Sequence, residues 1–583
     1  GDLGVAANLI SVTSDTGDIT LTGGTAGSRY AQIGNGGMRS IGSKEGSVSV
    51  RALAGSVLLQ GGSGTEASAR IGHGGRYSVG DTEGDITVEA IGANSDIELR
   101  GGIGGGGGHT SEAVIGSGGA WANGDNGVTG DVITVNAGRD VLLVSGDFNN
   151  TYTQIGNGGL LQGQLVGTTY SNITDISVTA GRDITLTANP TAGVGADDKY
   201  ALIGNGGAQY NSNNRGDITI AATGALTLNA GGGQAGQTPN FAQIGHGGDE
   251  NNGDQGAAGD VISVTAASVD LNAGLAGNAN GADAYAQIGN GGTDTSGVKI
   301  ADIIVTATAG DITMNGGTQA GTYVQIGNGG NRANANASGD VSVSATGDII
   351  VTAGSGNDAY AQVGNGGTLS AGDHSGRLEM LAQSISFMGG SGDRAYAQFG
   401  NGGYNAGVGG SGTVGNAGDL SMAATTGDIS FGGGSGLQSY AQLGNGGFNT
   451  TGANAGNIVA RSGGDFLITP GTGDGAYAQV GHGGTNAAAD AGNTGSITVS
   501  AGTFDPDLQF NGVAAGRDFT DVFDVNMDGV IDALDIVNIT DNVVLGIRVG
   551  VANPGDLSGV GAYAQIGNGG LNANGPHGGT DPV

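Results

Sequence analysis

One stretch of eight residues, Tyr30-Ala31-Gln32-Ile33-Gly34-Asn35-Gly36-Gly37, is written again and again along this chain. Its first glycine falls at Gly34, Gly72, Gly116, Gly156, Gly204, Gly245, Gly289, Gly327, Gly364, Gly400, Gly444, Gly481 and Gly567. Thirteen copies therefore stand 36 to 48 residues apart, with one step of 86 between Gly481 and Gly567. A period of roughly 40 residues belongs to solenoids, propellers and arrays. The 583-residue length then implies one elongated body, where a non-repetitive chain of that size would imply several globular domains.

The residues between the copies give the secondary structure. Asp340-Val341-Ser342-Val343-Ser344-Ala345 alternates strictly, Thr346-Gly347 turns, Asp348-Ile349-Ile350-Val351-Thr352-Ala353 alternates again, and Tyr360-Ala361-Gln362-Val363-Gly364 follows a polar loop. This pattern predicts three short strands per unit, and no unit shows helical spacing. The slots Ile19/Leu21, Ile86/Val88, Ile184/Leu186, Ile312/Met314 and Ile349/Val351 are apolar, so one face of the second strand is core. In the octapeptide the Ile33 slot is always Ile, Val, Leu or Phe, and the Ala31 slot stays small. Those two should point inward, which leaves Tyr30 and Gln32 pointing outward.

A propeller needs four strands per blade and few blades, so a parallel β-helix with about one three-stranded coil per repeat is the expected architecture. Equivalent residues of successive coils would stack at about 4.8 Å, giving a rod of roughly 65 to 70 Å from about 14 coils. Asn at the Asn35 slot is expected to pass side-chain hydrogen bonds up a corner, with glycines permitting the turn.

Composition narrows the partners. The formal charge is −34, with 18 Lys and Arg against 52 Asp and Glu, which would repel nucleic acid. Asp in Gly-rich turns suits calcium, given a specific site. Cysteine is absent, excluding disulfides and thiolate chemistry. No stretch approaches a membrane span, and the chain opens at Gly1-Asp2-Leu3 without a signal-peptide pattern, so a leader was removed or this is a segment of something larger.

The phrases Ala137-Gly138-Arg139-Asp140-Val141 and Ala180-Gly181-Arg182-Asp183-Ile184, with many Gly-Asp-Ile-Thr runs, resemble the repeats of filamentous haemagglutinin-type bacterial surface adhesins over nearly the whole chain. That resemblance implies a right-handed β-helix, an extracellular or cell-surface location and an adhesive function. The family's usual repeat is about half as long.

The sharpest local motif lies inside the long step, where Asp524, Asn526, Asp528, Asp532 and Asp535 take positions 1, 3, 5, 9 and 12 of a calcium loop with Gly529 at position 6. Val530 would lend its carbonyl. The loop also resembles half of a dockerin module, followed by a candidate helix from Ala533 to about Val544; a dockerin carries two such loops, and one is found here. Calcium is the cofactor this motif implies.

Other candidates are weaker. His73, His246 and His482 occupy the Asn slot several coils apart, and are read as substitutes for Asn in the corner ladder. His109, His374 and His577 sit in Gly-rich loops without a partner pattern. Tyr30, Tyr152, Tyr200, Tyr285, Tyr323, Tyr360, Tyr396, Tyr440, Tyr477 and Tyr563 would form a stripe, with Phe241 in register. Such a stripe either packs beneath the following loops or offers a track to a sugar chain or a neighbouring rod. Lys occurs only at Lys44, Lys199 and Lys299, and no singular carboxylate-and-base cluster marks an enzyme. The division expected is β-helix repeats over 1–502, an insertion with the calcium loop over 503–560, and a terminal repeat and tail over 561–583. The function expected is structural or adhesive, with head-to-tail self-association or other surface proteins as partners. Carbohydrate binding or cleavage is the alternative.

Overall fold

The computed structural model describes residues 9–103, 111–161, 169–188, 198–209, 211–231, 239–274, 283–406, 415–487, 492–502, 547–549 and 562–569. Among these every regular element is a β-strand. The chain divides into two compact units, Gly1–Ala301 with Gly317–Ala335, and Asp302–Gly316 with Asn336–Val583.

In the first unit each coil gives one strand to each of three parallel sheets. Sheet 1 runs from Ile10–Ser14 to Val261–Ala266, sheet 2 from Ile19–Thr22 to Ser268–Asn272, and sheet 3 from Ala31–Ile33 to Tyr323–Ile326. The second unit repeats the plan. Its sheet 1 runs from Asp302–Ala307 to Ile497–Ala501, its sheet 2 from Ile312–Asn315 to Ile547–Val549, and its sheet 3 from Tyr360–Val363 to Tyr563–Ile566. This is a parallel β-helix.

Register fixes the size of a coil. Ile19 pairs with Val57 and Leu21 with Leu59, while Tyr285 pairs with Tyr323 and Gln287 with Gln325. Every residue thus lies beside its own copy one repeat later, so a repeat is one coil. Alternation works as read: Val48, Val50 and Ala52 of sheet 1, Val57 and Leu59 of sheet 2, and Ala69 and Ile71 of sheet 3 are all buried. Each fully buried Val, Leu or Ile contributes about 1.5 to 3 kcal/mol.

The recurrent Asp of the Gly-Asp turns has a structural reason. Asp18 Oδ1 accepts from the backbone N–H of Ser56 at 2.8 Å, Asp183 Oδ1 from Ala225 at 2.8 Å, and Asp428 Oδ1 from Asp465 at 2.8 Å. Each carboxylate satisfies a turn donor of the following coil, a group that would otherwise be left unpaired where the ladder stops. In the two Ala-Gly-Arg-Asp phrases the arginine also acts between coils, Arg139 pairing with Asp96 and Arg182 with Asp140.

A fourth layer was not foreseen in the alternation. The loop after each octapeptide carries a short strand, as at Lys44–Glu45 beside Thr82–Glu83 and Tyr170–Ile173 beside Ser212–Arg215 in the first unit. In the second unit Ala337–Ser338, His374–Ser375, Asn416–Ala417, Asn454–Ala455 and Asn493–Thr494 form one such sheet. These pieces run two to four residues, too short and too polar to announce themselves. They matter because they hold the loop over the outer side of sheet 3.

Candidate functional site

The outer side of sheet 3 is a second interior. Tyr152, Tyr200, Tyr285, Tyr323, Tyr360, Tyr396, Tyr440 and Tyr477 have no exposed surface, and neither does Phe241. These side chains leave the main core as alternation predicts, and of the two readings of the stripe the structure shows the first: the loop after the octapeptide roofs them, so they offer no exposed track. The third glycine makes the roof fit. A Cβ on Gly292, at φ +138°, would come 2.5 Å from the Tyr285 hydroxyl, and one on Gly330 2.8 Å from that of Tyr323. Tyr30 alone among the ten is strongly exposed, at 43%, because the neighbouring coil offers Ser68 in the stacking slot; Tyr563 is half-buried.

The rings form continuous stacks. Centroids lie 4.8 Å apart for Tyr285 and Tyr323, 5.0 Å for Tyr360 and Tyr396, and 4.8 Å for Tyr396 and Tyr440, with planes within 6° of parallel. Such pairs add about 0.5 to 1.5 kcal/mol beyond their buried area. In the later coils, from Tyr285 on, the hydroxyl donates to the glutamine of the preceding coil, as in Tyr396 to Gln362 Oε1 at 3.2 Å and Tyr440 to Gln398 Oε1 at 3.3 Å. The glutamine amide then donates forward, Gln398 Nε2 reaching the carbonyls of Gly444 at 3.1 Å and Gly446 at 2.6 Å. Burial pushes the Tyr440 and Tyr477 hydroxyls well above the usual tyrosine range, so they stay protonated as donors.

At two places both members of this pair change together, while Gln32 beside Ser68 and Val114 beside Tyr152 are places where only one member changes. The Gly72 coil has Arg70 in the glutamine slot and the Gly116 coil has Glu112 in the tyrosine slot, and the two face each other at 3.6 Å with 2% and 1% of their side chains exposed. Arg70 Nη1 also donates to Gly116 O at 3.0 Å, reproducing the forward bond of glutamine. At the Gly204 coil Leu202 removes the acceptor, and the following coil carries Phe241, which has no hydroxyl to satisfy.

The corner ladder predicted for Asn35 is present in hydrogen bonds. The backbone N–H of Asn157 donates to Asn205 Oδ1 at 2.9 Å, that of Asn365 to Asn401 Oδ1 at 3.0 Å, and that of Asn401 to Asn445 Oδ1 at 3.0 Å. Each Nδ2 staples the corner to the fourth layer: Asn401 reaches Gly376 O and Ala417 O, both at 2.8 Å. His73, His246 and His482 replace Asn atom for atom. Nδ1 of His482 accepts from the Asn445 backbone at 3.0 Å, and Nε2 faces Gly456 O at 2.7 Å. This fixes a neutral imidazole with its proton on Nε2. Burial lowers the His482 pKa to about 4, against the partial support of the Gly456 carbonyl.

A second amide ladder runs through the fourth layer. Asn126 Nδ2 donates to Asn172 Oδ1, and Asn172 Nδ2 to Asn214 Oδ1, both at 2.7 Å. His374 joins its counterpart in the second unit through Asn416 at 2.8 Å, so it does have a partner pattern. Lys299 takes the same slot, donating to the carbonyls of Thr295 and Asn334; burial lowers its pKa to about 7, against the opposing pull of Asp254.

The calcium-loop residues Asp524, Asn526, Asp528, Val530, Asp532 and Asp535 lie outside the described residues, as do the 503–546 part of the expected insertion, the candidate helix, His109 and His577. Among the described residues no three His, Asp or Glu side chains are already gathered as a metal cage, and no helix is long and apolar enough to cross a membrane. Fold and ladders together define a parallel β-helix with a roofed second core. Comparison with protein-family models, with curated proteins and with solved structures found no match.

Proposed function

We propose that this chain is a structural and adhesive protein of the extracellular or bacterial cell surface, self-associating or binding other surface proteins. The observation that carries this reading is where the polar atoms of the octapeptide go. Tyr hydroxyl, Gln amide and Asn amide are each consumed in bonding one coil to the next. The most repeated element of the sequence is thus devoted to holding a stack together. Calcium at Asp524 to Asp535 belongs to the same reading, as an ion held in the long step of the repeat. Electron microscopy of the purified chain at raised concentration tests it: filaments are expected, and monodisperse monomers with and without calcium would refute self-association.

One observation favours a glycan as the alternative ligand. The single Trp of the chain, Trp121, is half-buried and stacks on Tyr77 at 5.6 Å, with the Arg76 guanidinium 4.2 Å from the Trp121 ring centroid. Partly exposed aromatic rings suit stacking on a sugar ring, and the buried Arg76, paired with Glu66 at 3.4 Å, braces them. Retention on a glycan array, lost in Trp121→Ala, is the expected result for that reading.

A further inference from the structure

Two slots meet across neighbouring coils at the edge of the roofed core, and the chain fills them in two opposite ways. One slot lies two residues before the tyrosine, the other just after the octapeptide. Where the Gly289 and Gly327 coils meet, the first slot is Asp283 and the second is Asn331, whose Nδ2 donates to Asp283 Oδ1 at 2.9 Å. The next residue, Arg332, binds Asp283 at 3.0 Å and Asp294 at 2.8 Å. Both carboxylates are thereby neutralised.

Where the Gly204 and Gly245 coils meet, the same slots hold Asp198, Asp249 and Glu250. The backbone is equivalent, with Asp198 at φ 51° and Glu250 at φ 50°, against 62° for Asp283 and 54° for Arg332. The amide of the second slot and the guanidinium beside it are replaced by the carboxylates of Asp249 and Glu250. Asp249 is 1% exposed, and neither of its carboxylate oxygens has a hydrogen-bond donor. The charges acting on it most strongly are all carboxylates, Asp198 first, then Glu250, Asp294 and Asp283. Burial, with these neighbours, raises its pKa well above the usual carboxylate range. A buried carboxylate in this setting takes up either a proton or a cation.

We propose that Asp198, Asp249 and Glu250 bind a hard divalent cation of the calcium class, seated where the Arg332 guanidinium sits in the equivalent place. Asp198 and Asp249 are buried on the inner side, and Glu250 extends into solvent at the mouth. The three do not converge in advance; the exposed Glu250 closes on the ion, with water completing the oxygen shell that such ions require. This site is separate from the calcium loop at Asp524 and does not depend on it.

The test uses the full chain carrying Asp524→Ala and Asp528→Ala, which disables that loop, melted in calcium, in magnesium and in chelator. Calcium is expected to raise the melting temperature. Asp249→Asn is expected to abolish that rise and to melt higher than its parent in chelator. Glu250→Arg, which copies the Arg332 arrangement, is expected to do the same and serves if Asp249→Asn does not fold. A calcium-dependent rise that survives both substitutions, or no rise in the loop-disabled parent, overturns the proposal. A stabilisation by Asp249→Asn of equal size in calcium and in chelator would assign the site to a shared proton and overturn it as well.

Discussion

The Gly72 and Gly116 coils and the Gly400 and Gly444 coils solve one problem with opposite chemistry. In the later pair a neutral hydroxyl, Tyr440, donates back to a neutral amide, Gln398. In the earlier pair the back-donor is gone, and a buried cation, Arg70, faces a buried anion, Glu112. Both place a donor against Gly carbonyls of the next coil, but Arg70 Nη2 and the Glu112 carboxylate meet only as a 3.6 Å ion pair without a hydrogen bond. At these two places the roofed core holds complementary partners in adjacent coils, although Val114 beside Tyr152 shows that a slot can change alone. The neutral pair tolerates losing one member far better, because an uncompensated buried charge costs more than an unmade neutral bond.

That difference orders the expected effects. Glu112→Ala, which strands Arg70, should cost about 3 to 5 kcal/mol in chemical denaturation, while the double change Arg70→Gln with Glu112→Tyr, which converts the early coils to the later type, should recover most of it. If the double variant is no more stable than the single one, complementarity is not what the slots demand. Gln398→Leu removes the acceptor of Tyr440 and the donor to two carbonyls, and should cost about 2 to 3 kcal/mol. A second change, Tyr440→Phe, recreates the Leu202 and Phe241 pair and should return part of the loss.

The histidines sharpen the comparison by pH. The folded pKa of His482, about 4, lies below its ordinary value of 6.5. Its contribution is complete above 6.5 and is lost as pH falls from there toward 4, because the unfolded chain takes up the proton first. His482→Asn should leave stability at pH 7 within about 1 kcal/mol and remove about 1 to 3 kcal/mol of the acid loss, read from urea midpoints at both pH values. The smallest effect expected is that of Tyr440→Phe alone, about 1 kcal/mol.

The sequence made the coil legible because its signals are periodic and local. Ile33 and Ala31 alternate into the main core, and Asn35 combines a corner position with a side chain able both to donate and to accept. His482 was readable as an Asn substitute for the same reason, since imidazole also offers one acceptor and one donor. For Tyr30 and its copies the choice between a covered and an open stripe stayed open, because alternation tells which side of a strand a residue takes, and says nothing about what covers that side. The cover is built from fragments such as Lys44–Glu45 and Asn416–Ala417, whose signal is a recurring amide rather than an apolar rhythm. Arg70 with Glu112 and Asp249 with Asp198 were missed for another reason. Each is a departure from consensus that gains meaning only once the neighbouring coil is known, though the pairing of departures in successive copies was already present in the text of the chain.

The corner ladder has one more consequence, which concerns error rather than strength. A strand that slips by two residues against its neighbour keeps its alternation, so hydrophobic burial alone barely distinguishes the slipped state from the correct one. The ladder does distinguish them, because the backbone N–H of Asn401 finds Asn445 Oδ1 only when copies are level. After a slip of two residues that amide would face Leu443 or Gly447, neither with a side chain to accept the bond. The asparagine thus acts as a parity check written once per turn, and a chain of near-identical coils carries within each coil the means to reject a misaligned neighbour.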